Sequence, residues 1–304
     1  MQLPKITLPW KNPVFVKELR TRMRGNRTFV LVTAHLLIVS AIALLAYLAF
    51  IASLSSYSTA EARRNFGKLL FGLVVLLELF TITFIAPALT SGMISSERER
   101  QTYDLIKVTL LPARSLVSGK YAAALVFLFL LLFTSIPLQS PAFLVGGASP
   151  SEIIIAVLII AVTAVVFCAA GIFFSSLSSR TLLATILSYA FAIILVFGIP
   201  ALLLVFLLLL QTTNFAGLDG LSINAQFRLL LIGWWIVSTS PLMTVVATEL
   251  ALEQSHGVWW FSVPLSNGVE VHFPSPWSAY VIFYLILSVV FIWLSVRRIR
   301  RIDP

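Results

Sequence analysis

The chain has 304 residues, a mean hydropathy of +1.00, 59% hydrophobic and only 11% charged residues, and a net charge of +9. Such a composition excludes an ordinary soluble domain and makes the bilayer the natural solvent. The basic residues flank apolar runs and do not interleave with aromatics along a groove, so nucleic acid is excluded as a partner and membrane lipids are expected. In chain order, the first 28 residues are basic and carry the stretch KNPVFVKELRTRMRGNR. Asn12 suits a helix cap, Pro13 the first helical position and Gly25 the stop. Phe15, Val16, Leu19 and Met23 gather on one side, with Lys17, Arg20 and Arg24 across from them. That pattern predicts an amphipathic helix lying in the membrane interface; the alternative is a plain stop signal that orients the first span.

Crossing about 30 Å of hydrocarbon takes roughly 20 apolar residues. Six runs qualify: Phe29–Ala52, Leu69–Met93, Tyr121–Leu144, Ile153–Phe174, Leu182–Leu210 and Trp277–Val296. A seventh, Phe227–Leu252, is interrupted by Ser238, Thr239, Ser240 and Pro241, which predicts a re-entrant or interfacial helical hairpin. With six spans and the N-terminus inside, seventeen Lys and Arg face the cytoplasm and four the outside; a seventh span changes this to thirteen and eight. Six spans with both termini cytoplasmic fit the positive-inside rule better. The expected fold is therefore an all-α integral membrane domain over 1–304. It has an N-terminal interfacial helix, a cytoplasmic loop over 94–120 and an extracellular or re-entrant helical segment over 211–276.

Within the spans, Glu78 lies near the middle of span two, where a carboxylate must face the bundle or a cavity. A structural hydrogen-bonding role and a place in a translocation path are both open. His35 in span one reads as an interhelical hydrogen-bonder. Pro87 and Gly92 in span two, and Gly198 with Pro200 in span five, are expected kinks. Ala184, Ser188 and Ala192 form a small-residue stripe that permits close approach of a second helix, in the same chain or in another subunit. Cys168, the single cysteine, sits in an apolar run and reads as packing.

The cytoplasmic loop begins MISSERERQTYDLIKVTLLPARSLVSGKY. Ser96 with Glu99 offers a capping box, Pro112 interrupts, and two short helices with a break are expected. Glu97, Arg98, Glu99 and Arg100 alternate in sign ahead of an apolar patch from Leu105 to Leu111. Docking of a soluble partner and simple packing of the loop on the bundle are both compatible with that pattern.

At this point the sequence resembles the permease subunits of ABC-2 type ATP-binding cassette transporters. There the pattern after the second span is I-S-x-E-R-E-x-G-T-x-E/D-x-L-x-x-T-P, followed by G-K. Ile94, Ser95, Glu97, Arg98, Glu99, Thr102, Asp104, Thr109, Gly119 and Lys120 match, and Leu105 stands one place before the pattern's leucine. Gln101 stands where glycine is usual, and an extra residue separates Thr109 from the Leu111–Pro112 pair. The resemblance implies that the loop, with Ser95, Glu97, Arg98, Glu99, Arg100, Thr102, Asp104, Leu105 and Arg114, couples to a separate ATPase subunit. That partner would bind the ATP and magnesium, and no cofactor is expected in this chain. It also implies a second permease, identical or not, contacted through spans one and five, so that the Ala184, Ser188 and Ala192 stripe becomes a candidate dimer face. A multi-pass position in the plasma (inner) membrane and an exporter function follow from the same likeness.

Among other classes, the chain lacks a G-x-x-x-x-G-K-S/T phosphate loop, an H-E-x-x-H zinc motif and a G-x-S-x-G elbow, and His35, His256 and His272 are scattered. No catalysis and no metal are expected. The alternatives are a non-transporting scaffold that anchors a soluble partner through the same loop and, more distantly, a membrane enzyme using Glu78.

Overall fold

The computed structural model describes residues 12–53, 60–102, 112–144, 147–212, 222–255, 257–264 and 269–302. Helix α1 (Pro13–Met23) precedes α2 (Asn26–Ser53) and α3 (Ala60–Thr90). The short α4 (Ser95–Glu99) is followed by α5 (Ala113–Leu144), α6 (Pro150–Leu177) and α7 (Thr181–Ile193). A π-helical turn, Ile194–Gly198, joins α7 to α8 (Ile199–Thr212). Then come α9 (Ile223–Thr239), α10 (Pro241–Ser255), strands β1 (Trp260–Pro264) and β2 (Glu270–Pro274), and α11 (Pro276–Ile302).

Six of these stretches are long and apolar enough to cross a membrane, or seven if the bent α9–α10 pair counts as one. The chain thus has the helices of a multi-pass membrane protein. Two thirds (67%) of the apolar window of α6 is buried against 11% of that of α2, so α6 is the central post and α2 an outer one. Around α6 stand α3, α5, α7 and α11. Tyr280 on α11 reaches Thr163 at mid-α6, hydroxyl to hydroxyl at 2.7 Å, and Phe173 and Phe174 of α6 meet Phe191 and Phe291 in a ring cluster. Polar side chains inside apolar helices bond to their own helix or to a neighbouring one because lipid has no groups to satisfy them.

The kink in span five has a local cause. Pro200 carries no N–H for the helical ladder, and the turn just before it widens to the π form. Between α9 and α10 the bend is 118° at Ser240, and the Ser240 carbonyl accepts the first bond of the next helix from Thr244 N at 2.9 Å. The predicted break at Ser238–Pro241 is therefore where the chain turns.

The all-α expectation needs correction: β1 and β2 form an antiparallel ribbon, with Trp260 opposite Pro274 and Ser262 opposite His272. The alternation in WFSVP and EVHFP is the sequence signal for it. The ribbon is stitched to its surroundings by aromatics, with Trp234 Nε1 donating to Pro274 O at 2.8 Å and Phe273 stacked near Phe227, Trp234 and Phe261.

A candidate functional site: a charged clamp at one end of the bundle

One end of the bundle gathers α1, the C-terminal turn of α3, α4, the start of α5, the α6–α7 junction and the last turns of α11. Asn12 begins the construction. Its Oδ1 accepts from Val14 N at 3.0 Å, capping α1, while its Nδ2 donates to Ser115 O of α5 at 2.7 Å. Gly119 allows this approach: a Cβ there would lie 2.9 to 3.0 Å from Asn12, Val14 and Phe15. The face that α1 turns to the bundle is accordingly Val14, Glu18 and Arg22, at four-residue spacing, with Phe15 and Leu19 half-buried beside it. Val16, Lys17, Arg20, Met23 and Arg24 are exposed. The amphipathic assignment is corrected to that extent, because the inward stripe includes an acid, Glu18, paired with Lys120 of the bundle, and a base, Arg22, that donates to a bundle carbonyl. Arg22 donates to Leu89 O at 3.1 Å; burial lowers its pKa while neighbouring Glu18 opposes the shift.

Lys120 is the centre of the clamp. It is 3% exposed, and its three ammonium donors meet three acceptors: Glu97 Oε1 at 2.6 Å, Met93 O at 2.9 Å and Glu18 Oε1 at 3.4 Å. One side chain from α5 thereby ties together α1, α4 and the turn that follows α3.

Helix α4 has only five residues, and successive side chains step round it by about 100°. Three consecutive ones therefore address three different helices. Glu97 takes Lys120 of α5. Arg98 Nη1 donates to Ser176 O near the end of α6 at 2.9 Å. Glu99 Oε2 accepts from Thr181 N at 3.2 Å and from Thr181 Oγ1, so a carboxylate sits at the N-terminus of α7. The N-terminal donors of α4 are met from α6: Ser175 Oγ accepts from Ile94 N at 2.9 Å and Ser95 N at 3.0 Å. Ser95 Oγ in turn donates to Ser91 O at 3.0 Å, and Ser91 pairs with Thr185 of α7 at 3.0 Å.

One sequence expectation changes here. The Ser96–Glu99 capping box does not form: α4 has no side-chain cap, Ser96 Oγ donates to Gly92 O, and Glu99 is engaged by α7. A capping box does form at Ser149 and Glu152, ahead of α6. The alternating charges divide, with Glu97 and Arg98 drawn onto the bundle, as loop packing requires, and Arg100 left as the exposed cation. After it, Gln101 takes φ 58°, the left-handed region that favours glycine, and Thr102 N returns to Glu97 O at 3.0 Å. The family pattern's glycine at this position is thus matched by the backbone though not by the residue. Asp104, Leu105 and the apolar patch to Leu111 lie outside the described residues. Arg114 is exposed and lies apart from the clamp, over a groove between α5 and α11.

The remaining candidates fall elsewhere. Glu78 is 2% exposed and joins α3 to α5, accepting from Ser135 Oγ and from Gln139 Nε2 at 3.0 Å. His35 Nδ1 lies 3.3 Å from Thr81 Oγ1, linking α2 to α3; because Thr81 gives its proton to Leu77 O, Nδ1 is placed to donate. Ala184, Ser188 and Ala192 are buried within this single chain, at 0, 2 and 0% exposure. As a dimer face they are corrected: their small size lets α7 seat on its neighbours in the same chain, and Leu182, Leu183, Ile186 and Ile193 form its exposed side. Cys168 is buried and free.

Glu18, Arg22, Ser175, Ser176 and Thr181 escaped the sequence reading as members of this site. Glu18 had a signal, being the only acid in the first 28 residues. The Ser175, Ser176 and Thr181 contacts depend on long-range packing and had none. No protein-family model matches the chain, and no curated protein matches its sequence.

Proposed function

We propose that this chain is the membrane-spanning permease subunit of an ABC-2 type exporter, driven by a separate ATPase that docks on the clamp end. The observation that carries the reading is the triple attachment of α4 through Glu97, Arg98 and Glu99 to α5, α6 and α7. A segment held to three spans at once moves all three when pushed, which a coupling element requires and a tether for a passive partner does not. Further support comes from the six apolar spans, the basic helix ahead of the first, and the 118° break between α9 and α10 before the last.

In this reading the clamp end is cytoplasmic, since Lys17, Arg20, Arg24, Arg100, Arg180 and Arg298 collect there. Helix α1 rests at the inner interface with Val16 and Met23 toward lipid, and α9–α10 re-enters from the outside. Closure of paired ATPase subunits on ATP and magnesium would press on the exposed Arg100 turn, and the clamp would pass the movement to α5, α6 and α7. The bare outer faces of α2 and α7 are the surfaces left for a second permease subunit. Catalysis belongs to the partner.

Extraction of the tagged chain from its native membrane in mild detergent should carry with it magnesium-dependent ATP hydrolysis and an ATP-binding cassette protein. A folded chain that comes out with neither would overturn the assignment in favour of a non-transporting scaffold.

A further inference from the structure

The groove between α5 and α11 lies beside the clamp and takes no part in it. It encloses about 600 Å3. Arg114 from the first turn of α5 and Arg297 and Arg300 from the last turns of α11 stand at one end, and Val289, Ile292 and Trp293 form an apolar wall running away from them. Among the described residues, no acidic side chain lines it. None of the three arginines forms an ion pair among the described residues. The Arg297 guanidinium lies 5.1 Å from the centroid of the Trp293 ring, and that stacking holds it over the mouth of the groove.

Three cations of one sign around one opening repel each other, and no counter-charge stands among them within the described residues. Guanidinium groups in such a set match the oxygens of a phosphate, which they can bind in bidentate fashion. The wall below them selects further. Val289 lies eleven residues before Arg300, so the groove runs about 16 Å along the helix, comparable with one leaflet of a hydrocarbon core about 30 Å thick. An occupant with a phosphate at one end and an apolar chain at the other fills both parts.

We infer that the groove binds one anionic phospholipid, its phosphate held by Arg114, Arg297 and Arg300 and an acyl chain laid along Val289, Ile292 and Trp293. A bound lipid bridges the start of α5, which carries Lys120, to the end of α11. The inference rests on the chain's being a membrane protein and is independent of the permease reading.

The test uses the purified full-length chain, without any partner, in phosphatidylcholine nanodiscs. Trp293 fluorescence is taken as the difference between the wild type and Trp293→Phe. Brominated phosphatidylglycerol or brominated phosphatidylcholine is then raised in mole fraction. Half-quenching is expected at a markedly lower fraction of phosphatidylglycerol. The preference should weaken roughly fivefold in Arg300→Gln alone and vanish in the Arg114→Gln, Arg297→Gln, Arg300→Gln variant. Lys17→Gln with Arg20→Gln, on the exposed face of α1, should leave it unchanged. Arg300 is exposed on the last described turns of α11, so its single variant reads the site even if the triple variant fails to fold. Equal quenching by the two lipids, or a preference that survives Arg300→Gln and the triple variant, would overturn the inference. Loss of the preference on adding excess inorganic phosphate would also overturn it, by showing a site for the free anion.

Discussion

Replacing Lys120 with methionine should destabilise the chain by roughly 3–5 kcal/mol, the usual cost of stranding buried charges by removing their partner. The stranded groups are Glu97, Glu18 and the Met93 carbonyl, all of which converge on this one ammonium. Intrinsic fluorescence during thermal unfolding in detergent would show the loss as a lower midpoint, and proteolysis would show earlier cleavage around α4. Lys120→Arg should retain part of the stability, since a guanidinium keeps the charge but not the compact three-way geometry. Combining Lys120→Met with Glu97→Leu and Glu18→Leu should recover much of the loss, because the complete apolar replacement leaves no unpaired charge. A midpoint unchanged in Lys120→Met would mean that the clamp does not hold the segment.

Gly171→Ala is the second substitution with a large expected effect. A Cβ at this position of α6 would lie 1.9 Å from Thr90 Oγ1 and 2.8 Å from Thr90 Cβ. Thr90 is fully buried, β-branched and bonded to Ala86 O at 2.7 Å, so turning its hydroxyl away breaks that bond and leaves its Cβ in the way. Helix α3 must therefore move off α6, at a cost of about 1–3 kcal/mol or somewhat more. Thr90 stands one turn before Met93, so the displacement also reaches the carbonyl that binds Lys120. Adding Thr90→Ala to Gly171→Ala removes the closest contact but not the Cβ clash, and the double variant should recover part of the midpoint shift. A single variant as stable as wild type would contradict the close α3–α6 approach.

How far the sequence carries the fold follows from the range of the interactions involved. Apolar runs and the polar break at Ser238–Pro241 are local properties, and they place the six long helices and the bend between α9 and α10. The cap at Asn12 and Pro13 is likewise local, and α1 begins there. Which face of α1 turns inward is not local: it depends on Lys120, about one hundred residues away, and on Gly119 leaving room for the approach. The same holds for Glu97, Arg98 and Glu99, where alternation in sign signals charge but not the three helices that receive it. The small-residue stripe on α7 specifies close packing without specifying the partner, and the partner is intramolecular. The alternation in WFSVP and EVHFP is a weak local signal for the β-ribbon, and the apolar background of the chain obscures it.

In the proposed permease, the α4 turn is the contact through which a separate ATPase acts. Cys168 is the only cysteine and is buried, so Arg100→Cys supplies the one accessible thiol at an exposed position whose side chain the clamp does not use. Short bifunctional cross-linking of this variant in native membranes, followed by mass spectrometry, tests the claim most directly. A covalent product with an ATP-binding cassette ATPase is expected, its yield changing when ATP and magnesium are supplied. Absence of any such product, while a water-soluble maleimide still labels the same thiol, would contradict it.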